Sequence, residues 1–158
     1  MPIDPPGLDA LDFAAALGRA GGVAERAPLA LVNERTDTVV ADVVELAVTR
    51  RTRRKGLLGR DELRSSAGMV LAPCCSIHTA FMRFPIDAAF VSRGGKVLKM
   101  VHELRAWRMA LSPRAYAVVE LPAGTLRRRD VATGDRLCFV ERAADLRSAA
   151  REAGGGRR

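Results

Sequence analysis

Aromatic side chains are scarce in this 158-residue chain: 4% of the total, as one Trp, one Tyr and five Phe. No Phe, Tyr or Trp occurs between Phe13 and Phe81, so the base-stacking platforms that single-stranded nucleic acids need are missing from that half of the chain. Cysteine is limited to Cys74, Cys75 and Cys138. An odd count argues against a disulfide framework, and a Cys74–Cys75 bridge would join adjacent residues. Cys138, inside the apolar run LCFV, reads as a small buried hydrophobe. No apolar run approaches the roughly 20 residues that span a bilayer, so no membrane insertion is expected. The start, MPIDPPGLDALDFAAALGRAGG, has three early Asp and no basic residue before Arg19, unlike a signal peptide; the expected compartment is the cytoplasm. Heptads, internal repeats, Gly-rich phosphate loops, a serine nucleophile elbow, HExxH and EF-hand patterns are also absent.

Positive charge is abundant. Lys and Arg number 26 against 18 Asp and Glu, a net +8, and the excess lies within residues 29–142. Lysine occurs only at 55, 96 and 99, so the basicity is almost all arginine. The densest cluster is Arg50, Arg51, Arg53, Arg54, Lys55 and Arg60. It could neutralise phosphates and bind nucleic acid or another anionic surface. A solvated helix face is the preferred explanation, because Leu57 and Leu58 begin a buried side. Without aromatic interleaving, the balance goes against nucleic acid as the partner. At 48% hydrophobic and 28% charged, the chain has the apolar content for one core.

Apolar runs bounded by Gly, Pro, Asn and Asp predict strands over 29–33, 38–47, 68–71, 86–92, 96–104, 116–121 and 135–141, with a further short one over 80–83. Gly94-Gly95 predicts a hairpin. Thr49 can cap a short basic helix over 50–58, with Gly59 where it would end, and 122–129 reads as a turn and short helix. Residues 73–79 read as irregular and 105–114 as a loop carrying Trp107. The expected fold is mainly β: a compact β-sandwich or barrel of about seven short strands with one or two short helices. The expected organisation is a flexible N-terminal arm (1–28), a β domain (29–142) and a helical or disordered tail (143–158).

Across residues 43–137 the segments VVELAVTRRTRRKGLLGRDELRSSAGMVL, IHTAFMRFPIDAAFVSRGGKVLKM and YAVVELPAGTLRRRDVATGDRL together resemble the DUF192 family. The marks are Arg54, Gly56-Leu57, Gly59-Arg60, Gly68-Met69, Phe81-Met82, Pro85-Ile86-Asp87, Gly95, Glu120-Leu121 with Ala123-Gly124, and Gly134-Asp135. Phe81-Met82-Arg83-Phe84-Pro85-Ile86-Asp87 departs from the commoner form of the middle motif, while Cys74 and Ser76-Ile77-His78-Thr79 resemble a branch with a PC-x-SIHT-type pattern. The resemblance implies a small, mainly β domain of bacteria and archaea. It implies no reaction, because the family has no established one.

Chemistry concentrates at Cys74, Cys75, His78, Phe81, Met82, Arg83 and Asp87. Cys and His are zinc ligands, but Cys-Cys-x-x-His is one compact cluster with no second C-x-x-C, and no metal or cofactor is expected. A hydrolase-like or metal-dependent site would use His78 with Asp87 or Cys74, and needs them within hydrogen-bond reach. A structural role competes: Met82, Phe84, Ile86, Ala88 and Phe90 alternate as one face of a packed strand, and Asp87 could pair with Arg60 or Arg83. The reading preferred over these functional alternatives is a non-catalytic binding module. Its pocket would gather Arg60, His78, Phe81, Met82, Arg83, Asp87 and Trp107 for a small anionic ligand or a protein partner. Arginine suits carboxylate and phosphate.

Overall fold

The computed structural model describes residues 13–18 and 29–141; the tail expected over 143–158 lies outside them. Among the described residues, ten strands and three short helices form three sheets: two main ones, of three and five strands, and one of two strands. The smaller sheet is antiparallel, in the order β10 (Leu137–Glu141), β1 (Leu29–Asn33), β2 (Thr38–Ala41). The larger runs β3 (Val43–Ala47), β4 (Ala67–Leu71), β9 (Ala117–Pro122), β6 (Ile86–Val91), β7 (Val97–Leu104). Its β3–β4 pair is parallel and the other pairs are antiparallel.

The period-2 alternation of the larger sheet gives it two buried faces. Val70, Ala89, Val91, Val119 and Leu121 meet Leu31, Val40, Leu137 and Phe139 of the smaller sheet, forming the sandwich core. Helix α1 (Phe13–Gly18), within the segment expected as an arm, closes one side: Phe13 is 1% exposed and stacks on Phe139 with centroids 4.7 Å apart. Helix α3 (Thr125–Arg128) adds Leu126. On the opposite face Met69, Leu71, Ile86, Ala88, Phe90 and Val118 form a second core. Each fully buried aliphatic or aromatic side chain here contributes roughly 1.5–3 kcal/mol. Strand β6, IDAAFV, is buried along its whole length, so apart from Asp87 it reads as an apolar run rather than an alternating one.

The second core needs a cover. One part is helix α2 (Arg50–Lys55) with the following Leu57 and Leu63. The other is a two-stranded antiparallel sheet of β5 (Ser76–His78) and β8 (Met109–Leu111), which supplies Ile77 and Ala110. Thr49 caps α2 as its sequence predicts. Its hydroxyl accepts from Thr52 N at 3.1 Å while Thr52 Oγ1 accepts from Thr49 N at 3.0 Å, a reciprocal capping box.

The architecture is mainly β and the sheets do not close into a barrel. Several element boundaries differ from expectation. The run 38–47 is two strands: Asp42 donates its amide to Ser66 O at 2.7 Å, and the chain crosses there from the smaller sheet to the larger. Residues 76–78 and 109–111, read as irregular and loop, are strands because they pair with each other; three residues are too few to carry a periodic signal. Residues 80–83 form a turn, with Phe81 at φ +63°. Helix α2 ends at Lys55, with Gly56 at φ +43°. The Gly94-Gly95 hairpin does join β6 to β7, with Gly95 at φ +81° and its carbonyl accepting from Leu137 N at 2.9 Å.

Candidate functional site

Between the second face of the larger sheet and its cover lies a cavity of about 390 Å³. Its basic wall is α2, which contributes Arg50, Arg53, Arg54 and Lys55. Arg53 is tied inward, its Nη1 donating to Val48 O at 2.8 Å and Ala72 O at 3.2 Å. Among the described residues, Arg50, Arg54 and Lys55 meet no carboxylate within 4 Å. The apolar lining comes from Leu57, Leu71, Ile77 and Met82. Cys74, Ser76, His78 and Glu120 supply the remaining polar chemistry.

Glu120 is the unusual member. Strand β9 sends Val119 and Leu121 into the sandwich, so Glu120 between them must enter the second core. It lies in one transverse row with Glu45 of β3, Met69 of β4 and Ala88 of β6. It is 5% exposed, and its Oε2 has no hydrogen-bond partner among the described residues. Burial pushes its carboxyl up to about 7, against the pull of the Arg60 guanidinium. A buried acid at such a value exchanges its proton near neutrality.

The residues expected in a pocket divide into groups. His78 and Met82 line the cavity, His78 from the exposed side of β5 and Met82 from a buried position. Arg60 does not line it. Its Nη1 and Nη2 donate to the two carboxylate oxygens of Glu45, each at 2.7 Å, and its charge reaches Glu120. Phe81 and Trp107 form a separate pair, centroids 4.5 Å apart, with 72% and 62% of their surface exposed. Buried Thr79 organises the loop beneath them: its carbonyl accepts from Trp107 N at 3.0 Å, and its hydroxyl accepts from Arg108 N at 3.0 Å. Arg83 pairs with Asp61 on the surface. Asp87 is fully buried, and its two oxygens accept from Glu103 N and Leu126 N, each at 2.9 Å. It pins β7 and α3 to β6.

This arrangement constrains the catalytic alternatives. Among the described residues no hydrogen bond joins His78 to Asp87, Cys74 or Cys75, and no group of three or more His, Cys, Asp and Glu is placed to hold a metal ion. Cys74 donates from Sγ to Ser76 O at 3.1 Å, and burial pushes its thiol up, away from the thiolate that a nucleophile requires. Sequence reasoning passed over Glu120, taking it only as a motif position within a strand. The available signal was a lone acid in the otherwise apolar run AVVELP.

The model of the DUF192 family, described as an uncharacterized ACR, matches residues 31–139. Two solved structures share the fold. One, described as a proposed transcription regulator from Sinorhizobium meliloti 1021, is 24% identical, with a TM-score of 0.62; the match covers 70% of this chain and 91% of that one. The other, a protein of unknown function from Novosphingobium aromaticivorans DSM 12444, is 23% identical, with a TM-score of 0.61; the match covers 70% of this chain and 82% of that one. At these identities the likeness is one of fold. No curated protein matches the chain. Among the described residues no helix is long and apolar enough to cross a membrane.

Proposed function

The chain belongs to the DUF192 family, and we propose that within it this protein is a non-catalytic binding module that takes a small anionic ligand in the cavity between α2 and the larger sheet. One observation carries the reading: a cavity of about 390 Å³ has a basic wall in which Arg50, Arg54 and Lys55 have no carboxylate partner among the described residues. An apolar lining with a few convergent polar groups is the usual make-up of a small-ligand site, and arginines without internal partners favour carboxylate or phosphate.

Ethyl phosphate is a suitable probe, being small and singly substituted. Calorimetric titration at low ionic strength is expected to show saturable one-to-one binding that weakens by about tenfold in Arg54→Ala, because a charge-assisted contact is lost. A thermal-shift series is expected to follow the same order, since a ligand of the native state raises its stability. Absence of saturable binding, or identical binding by Arg54→Ala and Lys55→Ala variants that remain folded, would remove the proposal.

A further inference from the structure

We infer that the ligand of this cavity is zwitterionic: its anionic end meets the α2 arginines and lysine, and a primary ammonium at its other end donates to Glu120. This rests on the anion-binding reading above and extends it to the other end of the ligand.

The cavity is electrically two-sided. Its α2 wall carries Arg50, Arg54 and Lys55, while Glu120 projects from the opposite wall, the sheet. Glu120 is buried and its Oε2 has no hydrogen-bond partner among the described residues. Buried polar atoms are nearly always paired, and an unpaired one is costly. Glu120 lines the cavity, so an occupant that brings a donor to its carboxyl supplies a partner that the described residues do not.

The protein's own cations are poorly disposed to fill that role. Arg60 reaches Glu120 only through its field, because both of its terminal nitrogens are held by the carboxylate of Glu45 at the neighbouring sheet edge. Arg53 spends Nη1 on two backbone carbonyls. Met69 lies next to Glu120 on one side and Ala88 on the other, and neither side chain can donate. A compact ammonium suits the remaining space: it carries three donors and full charge on one atom, and a desolvated ion pair is strong when both partners are well placed.

Three probes with the same phosphate end separate the possibilities on the unmodified protein: phosphoethanolamine, phosphocholine and ethyl phosphate. Phosphocholine keeps the positive charge but has no N–H to donate. Phosphoethanolamine is expected to bind at least about tenfold more tightly than either of the others, as a charge-assisted hydrogen bond predicts. In Glu120→Gln, which keeps the side-chain size, that preference is expected to collapse while ethyl phosphate binding persists. The wild-type comparison stands without the variant if Glu120→Gln does not fold. Equal affinity for phosphoethanolamine and ethyl phosphate would overturn the zwitterion and leave the anion site intact. Tighter binding of phosphocholine than of phosphoethanolamine would also overturn it. Failure of all three to bind would remove the anion site itself, and this inference with it.

Discussion

Glu120→Gln without any ligand provides a quantitative test of the site's electrostatics. Burial raises the Glu120 carboxyl from its ordinary value near 4.5 to about 7. At about 1.4 kcal/mol per pH unit, the ionised form costs the native state about 3 kcal/mol relative to the unfolded chain. The sign follows from proton counting. Between pH 4.5 and 7 the folded protein holds this proton and the unfolded chain has released it, so stability falls as pH rises through that window and levels off above it. Glutamine cannot ionise. Urea unfolding of wild type and variant at intervals from pH 4 to 8.5 is therefore expected to give similar stabilities at the acid end. The variant should then become progressively more stable, by about 3 kcal/mol at pH 8.5, or roughly 10 °C in melting temperature. Asp135 does not disturb the comparison. Its carboxyl is held down at about 2, first by the Arg35 side chain that donates to it at 2.6 Å, and its loss of stabilisation on acidification is common to both proteins. A wild-type-minus-variant difference that stays constant with pH would refute a buried, uncompensated Glu120.

Three further outcomes test the surrounding framework. Arg60→Ala is expected to cost no more than about 1 kcal/mol at pH 5, because its partner Glu45 is half exposed. It should cost more at pH 8, where loss of the guanidinium raises the Glu120 titration further; the same urea series measures both. Asp87→Ala leaves the Glu103 and Leu126 amides without their acceptor, and is expected to lose about 2–5 kcal/mol, with Asp87→Asn intermediate in chemical denaturation. Gly95→Ala puts a Cβ against the Leu137 carbonyl oxygen at a φ of +81°, and is expected to cost about 2–4 kcal/mol. Gly94→Ala, with open space around it, serves as the near-neutral control in the same melts.

Much of the fold was legible in the sequence because its signals are local. The Thr49 cap, the Gly94-Gly95 hairpin and the apolar runs of β4, β6 and β9 each depend on a few adjacent residues. What escaped was set by distant partners. β5 and β8 exist because Ser76–His78 and Met109–Leu111 lie side by side, more than 30 residues apart in the chain. The break at Asp42 exists because Ser66 accepts its amide. The same limit governs the site. Phe81, Met82 and His78 are close in sequence, yet the turn parts Phe81 from the other two: His78 and Met82 line the cavity while Phe81, at positive φ, is exposed and pairs with Trp107. Asp87 carried the look of a functional acid, but it sits on the sandwich-facing side of β6, where its oxygens serve backbone amides.

Glu120 illustrates how a site residue can be hidden by strand periodicity. In an antiparallel sheet with one wet face, an acid between two valines or leucines points to water and needs no explanation. Here the face that would have been wet is covered by α2 and the β5–β8 sheet, so the same alternation places the acid in the cavity beneath that cover. The cover is also what brings the basic residues of α2 opposite it. Neither half of the cavity is unusual alone: a basic helix is normally a solvated face, and an acid in a strand is normally an outward one. The chemistry arises from closing one over the other, which buries the acid in the same cavity that the helix lines with cations. Burial raises the proton affinity of Glu120 and Arg60, outside the cavity wall, lowers it; the Arg60→Ala pH series reads that opposing charge directly.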